Sequence, residues 1–307
     1  MHIVRFADDR DELHCGLIGD RDPDGGIIAF DGISRIADLL ALRRTEFDEL
    51  VAKTATREVS HRAGDVVLLP PVDGRSEVWA AGVTYRRSRE ARVEESTERS
   101  VYERVYDADR PELFLKAVPW RVVTDGEPIA IREDSALNVP EPELGVVANR
   151  HGEIIGYVVV NDVSSRTIEG ENPLYLPQAK IYAGSAALST AIRPASEVAE
   201  PGALDIGLTV RRNGTEVFGG TTSTAQLNRT PDELVDHLFR GQPFPDGAVL
   251  ATGTGIVPSM DFTLQPGDEV RIEISEIGVL TNRVVSGQEE LAWLVAAADV
   301  PGARARR

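Results

Sequence analysis

The sequence predicts an α+β, β-rich fold: a small N-terminal α+β domain over residues 1–74, then a larger strand-dominated domain over 75–307. Most segments after residue 75 are short apolar runs separated by Gly, Pro, Asn and Asp, the pattern of strands joined by turns. No regular alternation of strands with long helical patterns appears, which argues against a Rossmann or TIM architecture. A chain of 307 residues with 42% hydrophobic content suits one large domain with a small companion.

In the first domain, residues 2–7, 14–19 and 26–30 read as short strands joined by Asp/Gly turns. Ile36 to Ala52 carries apolar residues at Ile36, Leu39, Leu40, Phe47, Leu50 and Val51, the spacing of one amphipathic helix. Residues 66–71 form a strand running into a linker. His14 and His61 stand alone in sequence and read as surface or hydrogen-bonded histidines.

The second domain begins with a strand over 77–85. The charge-rich segment 86–112 fits both a partly helical flap and a plain surface helix, and its sparse valines favour the surface helix. In an extended 113–117, Glu112, Phe114 and Lys116 share one face; a structural Glu112–Lys116 ion pair is the plain reading. Short strands follow at 126–132, 203–210, 264–274 and 278–284, with an Arg212-Asn213-Gly214 hairpin turn. Thr230 N-caps a helix to Phe239 with Pro231 at its first position. The tail GARARR is expected to be disordered.

Composition narrows the function classes. A net charge of −17 argues against a nucleic-acid partner. No run of about 18 apolar residues suggests a membrane helix. The acidic, polar N-terminus lacks the basic start and apolar core of a signal peptide. One cysteine, Cys15, excludes an internal disulfide framework and a Cys-rich metal site. The expectation is a soluble cytoplasmic protein. Only three of the 33 basic residues are lysines, Lys53, Lys116 and Lys180; a high-salt cytoplasm and GC-rich coding account for this equally well.

Chemistry concentrates between Leu137 and Lys180. Glu141 and Glu143 lie two apart in an extended context, so both carboxylates project to one face and Pro142 turns away. Prolines flank Glu141, which marks a sheet edge or the start of a strand. Asp162 ends the apolar run 157–160. Three clustered carboxylates repel unless protons or a cation neutralise them. An all-oxygen set suits Mg²⁺, Mn²⁺ or Ca²⁺; the plain alternative is three solvated strand-end charges. The turn Gly253-Thr254-Gly255 follows an apolar strand and offers N–H groups and a hydroxyl to a carboxylate.

Taken in order, E-x-E at Glu141/Glu143, D-V-S-S-R at 162–166, L-P-Q-A-K at 176–180 and T-G-T-G at 252–255 resemble the fumarylacetoacetate hydrolase superfamily over about residues 75–285. The resemblance implies a mixed β-sandwich roll, usually assembled as a homodimer or larger oligomer. It also implies a cation, Mg²⁺ or similar, on Glu141, Glu143 and Asp162, with Lys180 and Thr254 against a 2-oxo acid. Residues 105–119 and 171–184, with P-E-P-E-L-G-V-V, resemble a narrower branch, the 2-keto-3-deoxypentonate (2-keto-3-deoxy-D-arabinonate) dehydratases. One departure matters. Hydrolytic members carry a histidine three residues after the tyrosine of N-Y-x-x-H and a glutamate three further on. Here those positions are Ser88 and Ala91 after Tyr85, so the pair that activates water is missing.

These features imply a metal-dependent hydro-lyase acting on a 2-oxo sugar acid through an enolate, yielding 2,5-dioxopentanoate. A C–C hydrolase or 2-oxo acid decarboxylase on the same scaffold is the alternative. Glu112 is the expected proton-transfer group. Lys180 is expected to remain a protonated catalytic lysine. Tyr85, Arg86, Lys116 and Thr254 are the expected substrate-binding residues.

Overall fold

The computed structural model describes residues 1–19, 25–95 and 104–306. The part of the flap reading that concerns residues 96–103 lies outside them. Two sheets dominate. The larger runs, in spatial order, through His61–Arg62, Gly26–Ala29, Leu13–Ile18, His2–Ala7, Ala191–Pro194, Ile154–Asp162, Pro142–Ala148, Ala248–Ala251, Glu77–Gly82 and Glu112–Ala117. The smaller runs through Thr215–Ser223, Asp205–Arg212, Glu269–Ile274, Gly278–Ser286 and Ile129–Ile131. Most pairings are antiparallel; the exceptions are Ala248–Ala251 with Glu77–Gly82, and Gly278–Ser286 with Ile129–Ile131.

The central hairpin of the large sheet is buried on both faces along its whole length. Leu144, Val146, Tyr157 and Val159 face the small sheet and meet Ile206, Leu208, Ile272 and Leu280. Val147, Ile155, Val158 and Val160 face the other way, with Leu39, Phe47 and Val51 from the N-terminal helices. Serving two cores at once requires an unbroken apolar run rather than alternation. Through Ala191–Pro194, which pairs with His2–Ala7, the N-terminal strands join this same sheet.

Several expectations from the sequence are corrected. The span 36–52 holds two helices, Ile36–Leu40 and Arg44–Thr54, because each start has its own acceptor. Asp73 accepts the N–H groups of Ile36 and Ala37, while Glu46 and Glu153 accept those of Arg43 and Arg44. The tail is ordered through Arg306 as a 3₁₀ turn. Arg304 anchors it with an ion pair to Glu127 at 2.6 Å and a hydrogen bond to the Val122 carbonyl at 3.1 Å, so a buried charge pair replaces the expected disorder. His14 and His61 do not stand alone: their ring centroids are 5.2 Å apart. The predicted strands at 66–71, 77–85, 126–132 and 264–274 shorten where turns begin, 203–210 shifts to Asp205–Arg212, 278–284 extends to Ser286, and the helix Trp293–Asp299 was not foreseen.

Local signals held elsewhere. Thr230 accepts the Glu233 N–H at the start of helix Pro231–Phe239. Asn213 and Gly214 both take positive φ, 52° and 79°, the left-handed pair that a two-residue hairpin turn needs.

Candidate active site

Register assembles the site. Asp162 closes the strand Ile154–Asp162, and its N–H bonds the Glu141 carbonyl across the hairpin at 3.0 Å. Glu143 follows Glu141 by two residues on the same face. Carboxylate oxygens of all three lie within 4.8 Å of one another. Glu141 immediately precedes the strand Pro142–Ala148, which is paired on both sides and so is not a sheet edge. The residues are 3%, 1% and 1% exposed, which removes the reading of solvated strand-end charges.

Cations surround this cluster unevenly. Lys180, closing the short helix Leu176–Lys180, donates to Glu141 Oε2 at 2.5 Å, Asp162 Oδ2 at 3.0 Å and Ser164 Oγ at 2.6 Å. Lys116 Nζ lies 2.5 Å from Asp162 Oδ1 and donates to the Val163 and Lys180 carbonyls. Arg166 approaches Glu141 Oε1 at 3.5 Å. Among the described residues no lysine or arginine pairs with Glu143; its Oε2 accepts the Gly253 N–H at 2.7 Å. Burial first, then the Asp162 and Glu141 carboxylates, push the Glu143 carboxyl well above the ordinary range. Burial likewise pulls the Lys116 ammonium below its ordinary value, against the attraction of Asp162. A hard divalent cation fits this set, because three oxygens converge and one of the carboxylates has no cationic partner.

The opposite wall comes from the parallel strands. Ala248–Ala251 delivers the Thr252–Gly255 turn beside Glu143. Gly253 takes φ +94°, and a Cβ there would lie 1.9 Å from Thr84 Oγ1, which itself donates to the Thr252 carbonyl at 2.6 Å. Glycine is therefore required on both conformational and steric grounds. Glu112 pairs with Gly82 across strands; a Cβ on Gly82 would meet Glu112 Oε2 at 2.1 Å, so the missing side chain makes room for the carboxylate. Val83, at φ +53°, turns the chain out of its strand at the cleft, a conformation costly for a β-branched residue.

Glu112, Phe114, Glu141, Glu143, Asp162, Lys180 and Thr254 line one small cleft, together with Ser88 and Glu169. Three other predicted residues sit elsewhere. Tyr85 is buried beneath the Thr252–Gly255 turn, its ring filling the space beside Gly255. Arg86 points to solvent and pairs with Glu90. Lys116 falls where the pairing with Glu77–Gly82 shifts register between Leu115 and Ala117, which interrupts the expected alternation; it lies behind Asp162 and is wholly buried.

Two participants were missed. Glu169 lies on the helix Arg166–Glu171, N-capped by Ser165; the S-S-R-T-I-E spacing signals that helix but not which way Glu169 faces. Arg166 was quoted within a motif without a role. A larger cleft, about 580 Å³, is lined by Trp120, Arg132 and Tyr182 among others, but it lacks the converging carboxylates.

The fumarylacetoacetate (FAA) hydrolase C-terminal family matches residues 77–285. A "Probable 2-keto-3-deoxyxylonate dehydratase" of Haloferax volcanii is 45% identical over 265 residues, 86% of this chain and 90% of that protein. The "2-dehydro-3-deoxy-D-arabinonate dehydratase" of Saccharolobus solfataricus is 45% identical over 229 residues, 73% of this chain and 76% of that one. A solved 2-keto-3-deoxy-D-arabinonate dehydratase, complexed with magnesium and 2,5-dioxopentanoate, superposes with a TM-score of 0.77 at 36% identity, covering 94% of this chain and 99% of that one. The chain belongs to the fumarylacetoacetate hydrolase family.

Proposed function

We propose that this chain is a metal-dependent hydro-lyase that converts a 2-keto-3-deoxypentonate to 2,5-dioxopentanoate and water. The observation that carries the reading is the cleft itself: a carboxylate, Glu112, faces a buried three-carboxylate cluster from the opposite strand. The sequence and structural likeness to dehydratases of this substrate class supports it.

Glu141, Glu143 and Asp162 would hold Mg²⁺, with Mn²⁺ or Ca²⁺ as alternatives. Bound there, the cation would polarise a 2-oxo acid and offset negative charge developing on it. Glu112 takes the C3 proton and the electron pair becomes a carbon–carbon double bond. The C4 hydroxyl departs with a proton as water, and tautomerisation through C5 yields the aldehyde. Lys180 has all three N–H donors engaged, so it acts as a fixed positive charge rather than a Schiff-base amine. Thr254 orients the substrate carboxylate. Tyr85, Arg86 and Lys116 take indirect parts: Tyr85 supports the Thr252–Gly255 turn, Lys116 positions Asp162, and Arg86 acts from the rim.

Ser88 distinguishes this reaction from C–C hydrolysis. Its Oγ donates to the Tyr85 carbonyl at 2.7 Å and accepts the Tyr85 N–H at 3.2 Å. The side chain at the hydrolase histidine position is thus committed to the backbone and supplies no base for water.

Residues 1–74 contribute none of the cleft residues, although their strands join the large sheet and their helices share its core; a small N-terminal domain over 1–74 beside a catalytic domain over 75–307 belongs to the same proposal. Homodimeric or homotetrameric assembly and a cytoplasmic location belong to the same proposal; light scattering and cell fractionation test them. The mechanism is tested by Glu112→Gln. Turnover should fall by about 10²–10⁴-fold, the usual worth of a positioned acid–base group, while Mg²⁺ and 2-oxo acid binding persist. Near-normal turnover would remove Glu112 from the reaction.

A further inference from the structure

Away from the cleft, the N-terminal strands bring together Asp8, His14 and His61. We propose that these residues form a second metal site, for a borderline first-row divalent cation with Zn²⁺ the best fit.

Geometry is the first support. One carboxylate oxygen and one nitrogen of each imidazole lie within 4.8 Å of one another. Asp8 Oδ2 and His14 Nε2 are 3.1 Å apart. Two ligands each about 2.0–2.1 Å from Zn²⁺ and separated by that span subtend roughly 100°, near the tetrahedral angle.

The remaining atoms of these side chains are held so that lone pairs converge. Asp8 Oδ1 accepts the backbone N–H groups of Arg10 and Glu12, each at 2.9 Å, which fixes the carboxylate. Ser60 Oγ accepts the Ala29 N–H at 3.0 Å and donates to the Ile27 carbonyl at 3.1 Å. Ser60 Oγ also lies 2.9 Å from His61 Nδ1; when the hydroxyl proton goes to the Ile27 carbonyl, the imidazole donates from Nδ1 and Nε2 keeps a lone pair for a metal. Metal-binding histidines are held this way, by a second group on the other nitrogen. Beneath both rings lies Phe6, with centroids 5.2 Å from His14 and 5.0 Å from His61. An Asp8–His14 ion pair alone accounts for the 3.1 Å contact but not for the orientation of His61.

Two imidazoles and one carboxylate select against Mg²⁺ and for Zn²⁺ or its late first-row neighbours. All three residues are partly exposed, which leaves a side open for water as fourth ligand. Cys15 does not contribute: it follows His14 in the strand, faces the opposite way and is fully buried in another core. A bound ion would tie the 8–12 turn and the strand Leu13–Ile18 to the strand His61–Arg62.

The test equilibrates the purified full-length protein with Zn²⁺ in excess Mg²⁺, desalts it, and measures retained zinc by mass spectrometry alongside the thermal midpoint. Wild type should keep about one Zn²⁺ per chain and melt higher with it. His61→Ala and Asp8→Asn should lose both effects, and Glu143→Ala should keep the zinc. If His61→Ala does not fold, His61→Gln is used, and the visible spectrum of Co²⁺-loaded wild type reports the coordination directly. Absence of retained zinc in wild type, or equal retention in the folded His61 variant, would overturn the proposal.

Discussion

Two antiparallel hairpins, one in each sheet, show what separates scaffold from site. In the hairpin Asp205–Ser223 the first strand alternates: Ile206, Leu208 and Val210 are buried between partly or fully exposed neighbours, and the second strand is exposed or half-buried apart from Thr222. Its charges Asp205, Arg211 and Glu216 stand in water, and Arg212 pairs with the buried Asp268. Both strands of the other hairpin, Pro142–Ala148 and Ile154–Asp162, are buried throughout, yet Glu141 immediately precedes the first and Asp162 ends the second. Burying those carboxylates is costly unless each is paired, and the molecule commits two of its three lysines to them. A fold that needs only a core gains nothing from that arrangement, so the cost marks function.

Breaking the polar end of the buried hairpin should have the largest effect. Glu143→Ala should lower turnover by about 10³-fold or more and weaken Mg²⁺ affinity, because on the proposed mechanism it removes one ligand of the cation that would offset developing charge. Activity titrated against Mg²⁺ reads both, and an unchanged Mg²⁺ dependence would remove Glu143 from the metal set. Lys116→Met should come next, destabilising by about 3 kcal/mol, because the buried Asp162 Oδ1 loses its donor while Lys180 still holds Oδ2. Urea unfolding followed at fixed Mg²⁺ measures this. In the alternating hairpin, Leu208→Ala should destabilise by about 2–5 kcal/mol through a core cavity while the kcat of the folded fraction is kept. Val217→Thr, at a position 41% exposed, should shift stability by less than about 0.5 kcal/mol. A catalytic defect in either would erase the contrast between the hairpins.

The same contrast explains what the sequence made legible. Period-two alternation in 203–210, the Asn213-Gly214 turn and the Thr230 cap are local signals, and the structure follows them with a strand at Asp205–Arg212, a turn and a capped helix. Glu141, Glu143 and Asp162 were also legible, because strand parity alone decides that the first two share a face. Gly82 and Glu169 were not. Gly82 matters only because a strand thirty residues later brings Glu112 against it, and Glu169 faces the cleft only because of how its short helix docks. Arg86 and Tyr85 adjoin in sequence yet separate into solvent and interior, since Val83 turns the chain between strand and helix. His14 and His61 meet because of sheet order, which no local spacing encodes.

The most direct measurement is turnover of purified protein on 2-keto-3-deoxypentonate, as both C4 epimers, with Mg²⁺ and an NADP-dependent semialdehyde dehydrogenase reporting the product. The account predicts a signal with at least one epimer that EDTA abolishes and Mg²⁺ restores. No signal with either epimer, or release of pyruvate or CO₂ instead, would contradict it.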